Sequence, residues 1–230
     1  MTETSEGVGA ALFQLGPEQI KNRNRVRDLA EVYTHEREVS AMLDMVSGMF
    51  PSDGDPGNHD RTFLEPSCGH GNFLVAILQR KLRTVTTARY GLAEEYEHRV
   101  LRCVASIYGI DIDAENVADS RFRLHAVTTH HVGAPEARTA GFWTAIDVIL
   151  STNIVRADTL ADASVIELVS YQPGNGGTFI REWSTLDEPE PAAQMDLFAL
   201  PGETQRDAVP VHYADLAANP KPTERKGKKR

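Results

Sequence analysis

Cysteine is scarce in this chain: Cys68 and Cys103 are the only two in 230 residues. Two thiols can neither staple a small fold nor complete a four-thiolate zinc site, so stability has to come from a packed core. Long apolar runs are missing as well. None approaches the roughly 20 residues a membrane-spanning helix needs, and residues 1–16 lack the basic-then-apolar order of a secretory signal. These absences predict a cytoplasmic protein with no membrane attachment and no metal site. Basic charge is poorly distributed. The net charge is −9, yet five basic residues lie within Arg225–Arg230; the other 19, with all 33 acidic side chains, leave residues 1–224 at −14. A body this acidic does not draw a polyanion by its overall field, so contact with nucleic acid requires a local patch, the tail or a partner.

What is present suffices for one domain with extensions. Apolar residues make up 41% and charged residues 25%, which excludes wholesale disorder. Residues 1–16 read as a mobile leader. Residues 17–33 read as a helix whose apolar positions are Ile20, Val26, Leu29 and Val32, with Lys21, Arg23, Arg25 and Arg27 forming a basic face. A second helix is expected over 37–49. From Arg61 the pattern alternates: strand 61–66, helix 72–82, helix 92–105, strand 107–112, helices 113–129 and 137–150, strand 153–157. This alternation predicts an α/β fold with a mostly parallel sheet and helices on both faces. Segments 165–171 and 178–183, around Pro173-Gly174-Asn175-Gly176-Gly177, read as a hairpin. The domain is expected to span 17–185. Residues 186–230, rich in proline and acids and then basic, are expected to be largely disordered, with a short docking segment at 195–200.

The turn after the first strand is the most informative segment. Gly69 and Gly71 permit a sharp turn with a ligand against bare backbone, and the turn feeds a helix N-terminus suited to a carboxylate. A dinucleotide fingerprint would carry a third glycine where Leu74 stands, so the pattern favours a carboxylate ligand without a diphosphate.

Glu65-Pro66-Ser67-Cys68-Gly69-His70-Gly71-Asn72-Phe73-Leu74 closely resembles the first motif of S-adenosylmethionine-dependent DNA methyltransferases that act on the adenine amino group. The likeness is to restriction–modification enzymes whose cofactor motifs precede the catalytic one. It implies a Rossmann-like fold and a cofactor site that includes Glu65, Pro66, Cys68, Gly69, Gly71, Asn72 and Phe73, with Glu65 and the Gly69–Gly71 loop lining the methionine half. Tyr33-Thr34 resembles the N-terminal cofactor motif, with His35 where proline is usual. Tyr108-Gly109-Ile110-Asp111-Ile112 resembles the second-strand motif; it implies that Asp111 accepts from the ribose hydroxyls and that Ile112 packs on adenine. Asn153–Leu160 resembles the third-strand motif, with Asp158 accepting from the adenine amino group and Ala157 where glycine is common.

Each residue also has a purely structural reading. Asp111 and Asp158 can be strand-terminal caps, Thr34 a helix cap and Cys68 a small turn residue. The family's fourth motif, Asn/Asp/Ser-Pro-Pro-aromatic, is absent; Asn219-Pro220-Lys221 and Asp55-Pro56-Gly57 are fragments in the wrong places. That motif accepts the two amino hydrogens and stacks on the flipped base. The resemblance, covering about residues 24–158, therefore implies a modification subunit that binds cofactor and takes its base-binding motif and target recognition from a partner protein. DNA contacts are assigned to Lys21, Arg23, Arg25 and Arg27 and to Lys228, Lys229 and Arg230. Two alternatives stand: an inactive methyltransferase-like module of a restriction or phage-defence complex, and a methyltransferase for a small molecule or protein.

Overall fold

In a computed structural model, residues 34–91, 93–133, 138–186 and 205–223 are described. Tyr33, the basic positions Lys21–Arg27 and the tail residues Lys228, Lys229 and Arg230 lie outside them, as does the 195–200 segment.

The chain is a mixed α/β protein. Helix α1 (Glu36–Asp44) buries Val39 and Leu43, and Glu38 Oε2 accepts from His35 N at 3.1 Å. Strand β1 (Phe63–Glu65) stops at Pro66. Helix α2 (Asn72–Leu82) follows the double-glycine turn and buries Leu74, Val75, Ile77, Leu78 and Leu82. A short helix α3 (Thr87–Tyr90) precedes α4 (Ala93–Ala105), whose Tyr96, Val100, Leu101 and Val104 face the core. Then come β2 (Ile107–Asp111), α5 (Ala114–Val132), α6 (Ala140–Asn153) and β3 (Ile154–Arg156). The three strands pair in parallel in the order β1-β2-β3, with Glu65 opposite Gly109 and Asp111 opposite Arg156. Helices α2, α4, α5 and α6 all pack on β2. None of the described helices is long and apolar enough to cross a membrane.

The segments read as a hairpin form one, outside the parallel sheet, while the C-terminal region departs from expectation. Strands β4 (Glu167–Pro173) and β5 (Thr178–Thr185) form a hairpin in a separate antiparallel sheet, closed by Gly174 N donating to Thr178 O at 2.8 Å. A turn this short returns the chain antiparallel, whereas a parallel partner needs a crossover of a dozen or more residues. Part of the C-terminal region expected to be disordered is folded. Residues 205–223 supply β6 (Gln205–Arg206) and β7 (Val211–His212), both paired with β5. Asp207 is buried and accepts from Arg181 N, Nε and Nη2 at 2.9, 2.8 and 3.0 Å, and from Thr223 N at 2.8 Å. The Tyr213 hydroxyl donates to buried Glu97 at 2.6 Å, tying this segment to α4. Proline and acid content suggested a solvated tail; one acid with a buried arginine partner and two apolar anchors, Val211 and Leu216, fold it instead.

The loop into β1 is pinned by a buried lysine. Lys81 Nζ donates to His59 O at 2.8 Å and Arg61 O at 2.6 Å, and burial pulls its pKa down to about 8.

Candidate functional site at the strand ends

The carboxyl ends of β1, β2 and β3 lie side by side because the strands are parallel and adjacent. The loops that leave them are joined by direct hydrogen bonds. Asp111 Oδ2 accepts from Gly69 N at 2.8 Å, and Asp111 O accepts from Ala157 N at 3.0 Å. Thr159 Oγ1 donates to Pro66 O at 3.3 Å. The three segments singled out in the sequence therefore meet at one end of one sheet.

The glycine turn has the backbone its sequence demands. Gly69 and Gly71 have φ of 51° and 87°, the left-handed region that other residues enter at a cost. A Cβ on Gly71 would also stand 2.8 Å from Ser120 Oγ. Leu74, at the position of a dinucleotide fold's third glycine, is fully buried, and the room it needs comes from β2: a Cβ on Gly109 would lie 2.7 Å from Leu74 Cδ1. Helix α2 thus approaches the sheet closely by a different device. Its N-terminus has no side-chain cap; its first i→i−4 bond is Val75 N to Gly71 O at 2.9 Å. The N–H groups ahead of that bond point the positive end of the helix dipole toward the strand ends.

The acids differ in environment. The Asp111 carboxylate is buried and takes Gly69 N, Asp113 N at 2.8 Å and Asn116 Nδ2 at 3.2 Å. Three of its roughly four acceptor directions are filled by protein donors, so it braces the turn. Glu65 is half-buried at the end of β1; burial raises its pKa, opposed by the Ser67 N–H. Asp158 is exposed and caps its own turn by accepting from Leu160 N at 2.9 Å. Ile112 is half exposed beside Asp111, an apolar surface at the mouth of the strand ends. Pro66 is exposed and Phe73 is partly buried against the core.

Cys68 is buried, and burial followed by the nearby Asp111 charge pushes its thiol up to about 12, so it is a packing residue. Thr34 takes part through its backbone: its carbonyl accepts from Asn72 Nδ2 at 3.3 Å, while His35 caps α1. Among the described residues no three metal-ligating side chains cluster; His131 Nε2 instead lies 2.8 Å from Val85 O.

Sequence reasoning missed the contribution of α5. Asn116, Ser120 and Arg123, all buried, hold Asp111, Gly69 and His70 respectively. The signal was present: polar residues at i, i+4 and i+7 share the helix stripe that buries Val117, Leu124 and Val127.

Compared with known proteins, the chain matches no family model, no curated protein and no solved structure.

Proposed function

We propose that this chain is the S-adenosylmethionine-binding modification subunit of an adenine-specific DNA methyltransferase, with a Rossmann-like cofactor domain. The observation that supports it most is the hydrogen-bonded junction of the three motif loops, Gly69 N to Asp111 Oδ2 and Ala157 N to Asp111 O. In this reading the first turn of α2 and the turn Gly69–Asn72 receive the amino-acid end of the cofactor. Ile112 and Asp158 receive the adenine. Asp111 keeps one acceptor direction for a ribose hydroxyl while fixing the turn. The ligand of this reading is an adenosyl sulfonium carrying one carboxylate; Leu74 stands where dinucleotide folds carry the third glycine of their fingerprint.

Methyl transfer would need acceptors for the two adenine amino hydrogens and an aromatic to stack on the base. After β3 the chain enters the antiparallel β4–β5 sheet, and the sequence holds no Asn/Asp/Ser-Pro-Pro-aromatic. The base-binding motif and target recognition are therefore assigned to a partner protein. The same absence favours a second reading, a catalytically inactive cofactor-binding module. Radiolabelled methyl transfer to unmethylated DNA separates them. The first reading expects label on DNA once the products of neighbouring genes are added; the second expects none under any combination. Label on a small molecule or protein in place of DNA would contradict both.

A further inference from the structure

Resting on the cofactor reading of this site, we propose that Ser120 and Arg123 are positioning residues. They shape the Gly69–Asn72 turn and make it selective for a ligand's carboxylate. The two lie three residues apart on α5, on one face of the helix. Ser120 Oγ donates to Gly69 O at 2.9 Å, and Arg123 Nη1 donates to His70 O at 2.7 Å and to Asn72 Oδ1 at 2.9 Å. Two successive turn carbonyls are thereby drawn onto α5. Gly69 N is held by Asp111, and Gly71 N donates to Cys68 O at 2.9 Å. The turn is fixed from both sides.

Two consequences follow for a ligand. With its carbonyls turned to α5, the loop presents the uncapped N-terminus of α2 at the strand ends and not a row of carbonyl oxygens that would repel an anion. Arg123 also places a buried guanidinium behind that N-terminus; its unperturbed pKa is so high that it stays charged despite burial, adding to the positive end of the helix dipole. By taking Asn72 Oδ1 it fixes the amide's other end on Thr34 O, at 3.3 Å. All of this acts at the amino-acid end of the cofactor. The nucleoside end is served by the mouths of β2 and β3, whereas the bonds of Ser120 and Arg123 described above reach the glycine turn.

The test uses the full chain and two probes. S-adenosylhomocysteine carries the amino-acid end with its carboxylate; 5′-methylthioadenosine has the same nucleoside and thioether without that end. Arg123→Ala should weaken S-adenosylhomocysteine about tenfold or more and leave 5′-methylthioadenosine within about twofold. Arg123→Lys, which keeps charge but not the planar fork, should recover part of the loss. Equal weakening of both probes, or weakening of neither, overturns the proposal. Should Arg123→Ala fail to fold, Ser120→Ala carries the same comparison, with a several-fold selective loss expected. If the wild-type chain binds neither nucleoside, the cofactor reading fails and the selectivity falls with it. The positioning role is then read from amide exchange in unliganded protein: faster exchange at residues 69–73 in Arg123→Ala, with the rest unchanged, supports it, and unchanged exchange there refutes it.

Discussion

Replacing Asp207 by alanine should destabilise the whole domain, although the residue lies in a region whose composition reads as tail. Arg181 and Asp207 side chains are 1% and 0% exposed, and the carboxylate receives four hydrogen bonds, three of them from Arg181. Truncation leaves the guanidinium buried with its charge uncompensated, a change worth roughly 3–5 kcal/mol. For a domain of this size each kcal/mol moves Tm by about 2–4 °C, so a fall of roughly 6–20 °C is expected in thermal denaturation followed by circular dichroism at pH 7. Arg206→Ala, which breaks the neighbouring exposed pair with Glu182 at 3.8 Å, serves as control and should cost at most about 1 kcal/mol. The double change Arg181→Met/Asp207→Leu should recover only part of the loss: an apolar pair removes both desolvated charges but leaves the Arg181 and Thr223 backbone N–H groups without their acceptor. An Asp207→Ala melt indistinguishable from that of the control would refute the claim that residues 205–223 belong to the folded unit.

Further outcomes can be checked independently. Gly109→Ala should lower stability by about 1–3 kcal/mol in urea titration, since its Cβ would meet Leu74 Cδ1 at 2.7 Å and Cys68 Sγ at 3.2 Å; an unchanged midpoint would mean that α2 does not pack on β2 this closely. Both thiols are buried and pushed up to about 12, so iodoacetamide at pH 8 should label neither Cys68 nor Cys103 in native protein and both in guanidinium; rapid native labelling contradicts the packing role. Burial, helped by the Arg102 charge, pulls His59 and His98 down to about 4. Between pH 6.5 and 4 the unfolded chain therefore takes up protons that the folded chain refuses, and stability should fall as pH drops through that window. Urea midpoints equal at pH 7 and pH 5 would contradict this.

The elements that carry the motifs were legible because their signals are local. Gly69-His70-Gly71 fixes where α2 begins, Pro66 fixes where β1 ends, and the apolar runs of β2 and β3 are bounded by Asp111 and Asp158. The fate of the C-terminal region was not legible, since it turns on long-range partners: Asp207 is one acid among many until Arg181, 26 residues earlier in the chain, is placed beside it. The same holds for the site. That Asp111 and the glycine turn meet follows from strand adjacency, but the Asp111 carboxylate serves the backbone of the turn first, and the helix that supports the turn, α5, carries no recognisable motif. Thr34 contributes a carbonyl, which no side-chain pattern announces.

The central claim is that the ends of β1, β2 and β3 form one binding site for an adenosyl ligand. Titrating the isotopically labelled full chain with S-adenosylmethionine tests it most directly. The amide signals of Gly69, Ile112 and Asp158 should shift together along a single saturating curve. Absence of any shift at about 1 mM ligand, or movement of one of the three without the others, would contradict it.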